Sequence, residues 1–202
     1  MKVVEIFRSI QGEGRSQGYP SIFLRLAGCN LDCAWCDTRY AREGGTDMSC
    51  NKIIRMISAY PGKRLCITGG EPLLQHDQLL PLLGGLHEKG YQIEIETNGT
   101  IDFRPFQPFT SICMDVKCPS SGERSDLSFL RQISGNDSIK FVVADRDDCR
   151  YAEEVLDLHP VRGEVFFSPV YGSEYGTIAE FLLERNLPAR LQIQMHKIIG
   201  VR

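Results

Sequence analysis

Three cysteines fall within eight residues, Cys29-Asn-Leu-Asp-Cys33-Ala-Trp-Cys36, directly after the largely apolar run from Ile22 to Ala27. Thiolates are soft ligands that suit zinc, copper(I) or iron–sulfur clusters. A closed zinc site or a fully ligated cluster wants four protein ligands, and this stretch offers three with no further cysteine or histidine close by. Three thiolates on a 4Fe-4S cube leave one iron open to a small molecule. The spacing alone also admits three structural cysteines, or a zinc site completed by a distant ligand. Of the eight cysteines, the other five (Cys50, Cys66, Cys113, Cys118 and Cys149) are dispersed. Disulfide frameworks belong to small secreted chains, so Cys66 and Cys113, in apolar strand-like runs, read as buried hydrophobes.

At 202 residues the default is one domain, 1–202. The formal net charge is −3 and no basic tract is present, which argues against a protein that grips a phosphate backbone. No apolar run reaches the roughly 18–20 residues that span a bilayer, and the charged start Met1-Lys-Val-Val-Glu is unlike a signal peptide. The expectation is a cytoplasmic protein with no nucleic-acid or membrane partner.

Strand-like runs over 3–7, 21–27, 64–68, 91–97, 111–116, 138–144, 164–168 and 190–194 alternate with predicted helices. Those helices cover about 48–60, 73–89, 126–133, 147–158 and 177–185. Alternation of this kind predicts right-handed crossovers and a mainly parallel sheet. Polar residues collect just where the strands end: Cys29, Gly69-Gly70-Glu71, Glu96-Thr97-Asn98, Asp115 and Lys117, Ser168, and His196. Parallel sheets and β/α barrels build ligand sites from those ends. The predicted fold class is α/β, a partial and open (β/α) barrel. Helices are expected to be fewer than strands, because little helical pattern separates Asn98 from Ser111. Arg25, inside an apolar strand, calls for either an anionic partner or a solvent-facing side. Gly12-Glu13-Gly14 reads as a turn or a close approach to a ligand.

Two features together resemble the radical S-adenosylmethionine superfamily: the C-x3-C-x2-C loop with aromatic Trp35 before its last cysteine, and Gly69-Gly70-Glu71-Pro72. More extended stretches resemble the 7-carboxy-7-deazaguanine synthase family in order along the chain. They are Phe7-Arg-Ser-Ile-Gln-Gly-Glu-Gly14, Phe23-Leu-Arg-Leu-Ala-Gly-Cys-Asn30, Trp35-Cys-Asp-Thr38 and Gln194-Met-His-Lys197. The resemblance implies conversion of 6-carboxy-5,6,7,8-tetrahydropterin to 7-carboxy-7-deazaguanine and ammonia, a step shared by queuosine and archaeosine formation. A 5′-deoxyadenosyl radical would abstract and later return one hydrogen, so that S-adenosylmethionine is used catalytically.

The implied residue roles follow the motifs. Cys29, Cys33 and Cys36 would hold the 4Fe-4S cluster, and Thr38 a Mg2+ ion. Ile10, Gln11, Gly12, Glu13, Arg25, Thr68, His196 and the carboxylate of Arg202 would bind the pterin. Trp35, Cys36, Asp37, Gly69, Gly70, Glu71, Glu96, Thr97, Asn98, Asp115, Val116, Lys117, Ser168, Pro169 and Val170 would bind S-adenosylmethionine. The resemblance also implies a homodimer and an electron donor such as flavodoxin or ferredoxin. The rivals are a glycyl-radical activase, which would act on a protein, and a non-enzymatic iron–sulfur or zinc protein.

Overall fold

The computed structural model describes residues 1–201. Nine strands form one sheet in the order β3-β1-β2-β4-β5-β6-β7-β8-β9. They are β1 (Lys2–Ile10), β2 (Pro20–Leu26), β3 (Thr46–Asp47), β4 (Arg64–Gly69), β5 (Gln92–Thr97), β6 (Ser111–Lys117), β7 (Ser138–Val143), β8 (Glu164–Pro169) and β9 (Arg190–Leu191). From β2 to β9 every neighbouring pair is parallel. β1 runs antiparallel to both β2 and β3, an antiparallel edge that the strand pattern had not announced. The sheet is open, as expected, with β3 and β9 at its two edges.

Helices α1 (Cys50–Ser58), α2 (His76–His87), α3 (Arg146–Leu158), α4 (Tyr175–Arg185) and α5 (Met195–Ile199) complete the fold. Local chemistry explains where they begin. Ser49 accepts from Lys52 N–H at the start of α1, and Asp145 accepts from Asp147 and Asp148 N–H at the start of α3. The predicted helix over 126–133 is instead a 3-10 helix, Leu127–Gln132. Its apolar residues Leu127, Leu130 and Ile133 recur every third position, the period of a 3-10 turn. The predicted helix over 73–89 begins as a 3-10 turn at Pro72–Gln75 before α2.

Alternation along the strands sorts side chains into two environments. One face joins the helices in an apolar core that includes Leu24, Ile67, Ile95, Met114, Phe141 and Phe167. The other face is lined largely by polar and charged groups, with one small apolar cluster of Phe7, Phe23 and Cys66. The Phe7 and Phe23 rings stack at 4.9 Å.

The strand predicted over 190–194 shortens to Arg190–Leu191 because the residues after it bond elsewhere. Gln192 accepts from Gly14 N–H at 2.8 Å and donates to Gly14 C=O at 2.9 Å. Gln194 donates to Glu13 at 2.8 Å, and Met195 N–H to Gly12 C=O at 3.1 Å. The C-terminal segment is thereby fastened to the β1–β2 loop, which brings the two ends of the sheet together without a strand ladder.

Candidate active site

The polar face opens into a cavity of about 510 Å³ at the C-terminal ends of the parallel strands. Its walls carry an alternating chain of buried charge. Lys140 on β7 pairs with Glu13 from the β1–β2 loop and lies 3.1 Å from Asp115 on β6; Asp115 also meets Lys117 at 3.0 Å. The Lys140 side chain is only 5% exposed. Burial penalises its charge, but Asp115, Glu13 and Glu96 hold its ammonium pKa well above the ordinary lysine value. A second network joins β4 and β5 to the β1–β2 loop: Glu96 accepts from Gln11 at 3.1 Å and from the Thr68 hydroxyl at 3.0 Å. On β2, Arg25 donates to Glu5 at 2.8 Å, with its guanidinium carbon 5.9 Å from the Phe7 and Tyr40 ring centres.

Cys29, Cys33 and Cys36 are free thiols that line this same cavity. Close backbone packing sets their loop against β4. A Cβ on Gly70 would lie 2.1 Å from Gly28 C=O and 2.9 Å from Cys29 Cβ, so only glycine permits that approach. The loop is further tied down by Asn98, which donates to Asn30 at 2.9 Å, and by Lys197, paired with Asp37 at 2.5 Å. Burial works against the Asp37 charge, but Lys197, Lys140 and His196 hold its carboxyl below the usual range. Burial pushes the Cys33 thiol up, and Lys117 opposes that rise.

Among the described residues, no three His, Cys, Asp or Glu side chains come close enough to share one metal ion. The thiolates of a cube each bind a different iron, so they need only surround a common space. Three soft thiols around one cavity, with no fourth ligand, are a donor set that fits a 4Fe-4S cluster with an open iron.

Residues 24–110 match the radical SAM superfamily. The chain is 51% identical, over its whole length and 86% of the relative, to a protein of Methanospirillum hungatei named 7-carboxy-7-deazaguanine synthase. A Koribacter versatilis protein of the same name is 38% identical over 98% of this chain and 96% of its own. The crystal structure of QueE from Escherichia coli superposes with a TM-score of 0.79 at 29% identity, covering 96% of this chain and 94% of the other. The chain belongs to the 7-carboxy-7-deazaguanine synthase family. It is a radical SAM protein with the open, mostly parallel sheet expected of that superfamily.

In this member of the 7-carboxy-7-deazaguanine synthase family, most residues singled out from the sequence share one cavity. Ile10, Gln11, Gly12, Glu13, Arg25, Thr68 and His196 line it, as do Trp35, Cys36, Asp37, Thr38, Gly69, Gly70, Glu96, Thr97, Asn98, Asp115, Lys117 and Val170. Arg202 lies outside the described residues.

Four expected cofactor residues do not line the cavity. Val116 points to the opposite face of β6, into the apolar core, because alternation that puts Asp115 and Lys117 inside must put Val116 outside. Ser168 is fully buried, and Pro169 ends β8 away from the cavity walls. Glu71 is also fully buried. Its carboxylate accepts from Leu73 N–H (3.0 Å), the Thr97 hydroxyl (2.9 Å) and Asn98 N–H (2.7 Å). Glu71 therefore braces the β4 and β5 turns from behind, where it stands off the cavity wall that Gly69 and Gly70 line. Burial raises its pKa to about 7 despite those three donors.

Sequence reasoning missed Lys140, Gln194, Tyr171 and Lys197 on the cavity wall. Lys140 had a legible signal, a lone cation in the middle of an apolar strand, Ser138–Val143. Gln194 and Lys197 had one in the Gln194-Met-His-Lys197 stretch that flanks His196, whereas Tyr171 had none; Gln194 meets Glu13 of the β1–β2 loop, and Lys197 meets both Asp37 of the cysteine loop and the Tyr171 ring.

Proposed function

We propose that this chain converts 6-carboxy-5,6,7,8-tetrahydropterin to 7-carboxy-7-deazaguanine and ammonia, with residues 1–202 forming a single radical SAM domain. One observation carries the reading: the three cysteines, Arg25, and the Gln11–Glu13 loop with His196 line a single cavity of about 510 Å³. When bound, the cluster and S-adenosylmethionine supply one-electron cleavage and a carbon radical for reversible hydrogen abstraction.

The protein's own groups hold and orient the reactants. Cys29, Cys33 and Cys36 take the cluster. The backbone of Gly69 and Gly70, with Trp35, Cys36, Asp37, Thr97, Asn98, Asp115, Lys117 and Val170, takes S-adenosylmethionine. Gln11, Glu13, Thr68 and His196 take the pterin ring, with Ile10 and Gly12 beside it and the Arg202 carboxylate completing the set. The family resemblance puts Glu96 with S-adenosylmethionine. Its bonds to Gln11 and Thr68 favour the pterin side.

Arg25 is anchored by Glu5 through Nε and keeps its terminal N–H groups for the substrate carboxylate. Thr38 supplies a hydroxyl to Mg2+, an ion that favours oxygen ligands and retains several waters. An external one-electron donor such as flavodoxin or ferredoxin, homodimeric assembly and a cytoplasmic setting belong to the same reading. So does a product destined for queuosine or archaeosine. No helix among the described residues is long and apolar enough to cross a membrane.

The test is an anaerobic assay of reconstituted protein with S-adenosylmethionine, Mg2+, dithionite and the pterin, read by mass. Product without matching accumulation of 5′-deoxyadenosine is expected. Slow 5′-deoxyadenosine formation with no product would sink the substrate assignment and leave the superfamily chemistry standing.

A further inference from the structure

A buried carboxylate outside the cavity is wired to the cysteine loop. Asp148, in the first turn of α3, is 1% exposed. Its Oδ2 accepts from the Ser120 hydroxyl at 2.5 Å and from Ala144 N–H at 2.8 Å, and its Oδ1 accepts from Ser120 N–H at 3.0 Å. Ser120 Oγ in turn accepts from the Trp35 indole N–H at 3.1 Å. The hydroxyl has one hydrogen, which goes to the carboxylate, and its lone pair is left facing the indole. A chain of N–H, O–H and carboxylate polarises in one sense, so each bond strengthens the next.

Two observations show that this wiring concerns the cavity. Trp35 lines the cavity between Cys33 and Cys36, and Lys117 Nζ stands 5.4 Å from its ring centre. The segment carrying Ser120, which follows β6, also receives Ala34 N–H at Ser121 C=O (2.9 Å) and Asp32 N–H at Glu123 Oε1 (2.6 Å). The cysteine loop is thus bonded at three points to one neighbouring segment, and of these the Trp35–Ser120 point leads on to the buried Asp148 carboxylate.

We propose that Ser120 and Asp148 are positioning residues for Trp35, fixing its ring plane on the cavity wall and thereby the affinity of the cavity for S-adenosylmethionine. This deepens the cofactor reading above and rests on it. An indole has two side-chain torsions and a single donor; bonding that donor to a buried carboxylate through one hydroxyl holds the ring in one rotamer before any ligand arrives. The ordering that a ligand would otherwise impose on binding is then already done.

Trp35 is the only tryptophan in the chain, so its emission and near-ultraviolet circular dichroism report the loop directly and without turnover. Ser120→Ala removes the acceptor of the indole N–H. It leaves Asp148 its two backbone donors, so α3 keeps its first turn. In cofactor-free protein the variant should lose the tryptophan dichroism band. In reconstituted protein it should bind S-adenosylmethionine about fivefold more weakly, the equivalent of one neutral hydrogen bond. KM for S-adenosylmethionine should rise by a similar factor, with iron content, kcat and the KM for pterin unchanged. Ser120→Thr, which restores the hydroxyl, should recover both signals. Asp148→Asn keeps one oxygen for the Ser120 hydroxyl but sets an amide NH2 against a backbone N–H that the carboxylate accepted from, so it too should weaken S-adenosylmethionine binding.

Wild-type affinity in Ser120→Ala, an equal loss of pterin affinity, or no recovery in Ser120→Thr would overturn the proposal while leaving the cofactor reading intact. If Ser120→Ala does not fold, Asp148→Asn carries the same comparison, and wild-type affinity there would overturn the proposal as well. Wild-type protein that bound no S-adenosylmethionine would overturn the cofactor reading and this proposal with it.

Discussion

Replacing Lys140 with methionine should destabilise the fold far more than an ordinary loss of a surface ion pair. The ammonium serves two carboxylates at once, Glu13 and Asp115, in a site where its own side chain is 5% exposed and theirs are 11% and 20%. Asp115 would keep Lys117 at 3.0 Å. Among the described residues Glu13 would keep only the Gln194 amide at 2.8 Å, so the uncompensated charge falls on Glu13. Removing one partner of a buried pair costs roughly 3–5 kcal/mol. In a chain of this size that lowers Tm by about 10 °C.

Because the folded pKa of Lys140 is raised, its contribution is fully present below the unfolded lysine value. It is lost only as pH climbs through the folded value, well above 10. The loss in Lys140→Met should therefore be undiminished at pH 6 and pH 8 alike. The assay is urea denaturation of Lys140→Met, Glu13→Gln and the double variant. Neutralising Glu13 should recover at least about 1 kcal/mol in the Lys140→Met background, since that is the coupling expected of contacting groups. A loss under about 1 kcal/mol for Lys140→Met, within the range of surface pairs, would refute the reasoning, as would no recovery in the double variant.

Two further outcomes are expected. Burial, and then the charge of Glu96, raise the Glu94 pKa to about 8, and its Oε1 has no hydrogen-bond partner among the described residues. Keeping this carboxyl neutral in the folded state makes wild-type stability fall as pH rises from the ordinary carboxylate range through about 8. Glu94→Gln should therefore gain on wild type in denaturation at pH 9 and show little gain at pH 5; equal differences at both would contradict the assignment. In Gly12→Ala, the new Cβ would meet His196 Nδ1 at 1.9 Å and His196 N at 2.9 Å. That should push the C-terminal segment off the β1–β2 loop, lowering kcat/KM for the pterin by about tenfold or more, the scale of a small misplacement of binding groups. Iron content should be unchanged, and wild-type kinetics would show that the contact is dispensable.

Much of this protein was legible before any coordinates. The cysteine spacing named a soft three-thiolate site because ligand chemistry depends on residue type and local spacing alone. The alternation of strands and helices predicted a mainly parallel sheet, and the polar strand ends marked its functional rim. The helix starts at Ser49 and Asp145 follow from side chains that cap backbone N–H groups a few residues away. All of these are local in sequence.

What the tertiary structure decided is non-local. It joined Gln192 and Gln194 to the β1–β2 loop across about 180 residues, converting a predicted strand into a seam between the two ends of the sheet. It turned Glu71 inward to brace backbone N–H groups, although the motif alone pointed it at a ligand. It assembled Glu13, Lys140, Asp115 and Lys117 from separate elements into one buried line of alternating charge. Residue type says that a buried charge needs a partner, but only the folded chain can supply that partner from a distant strand.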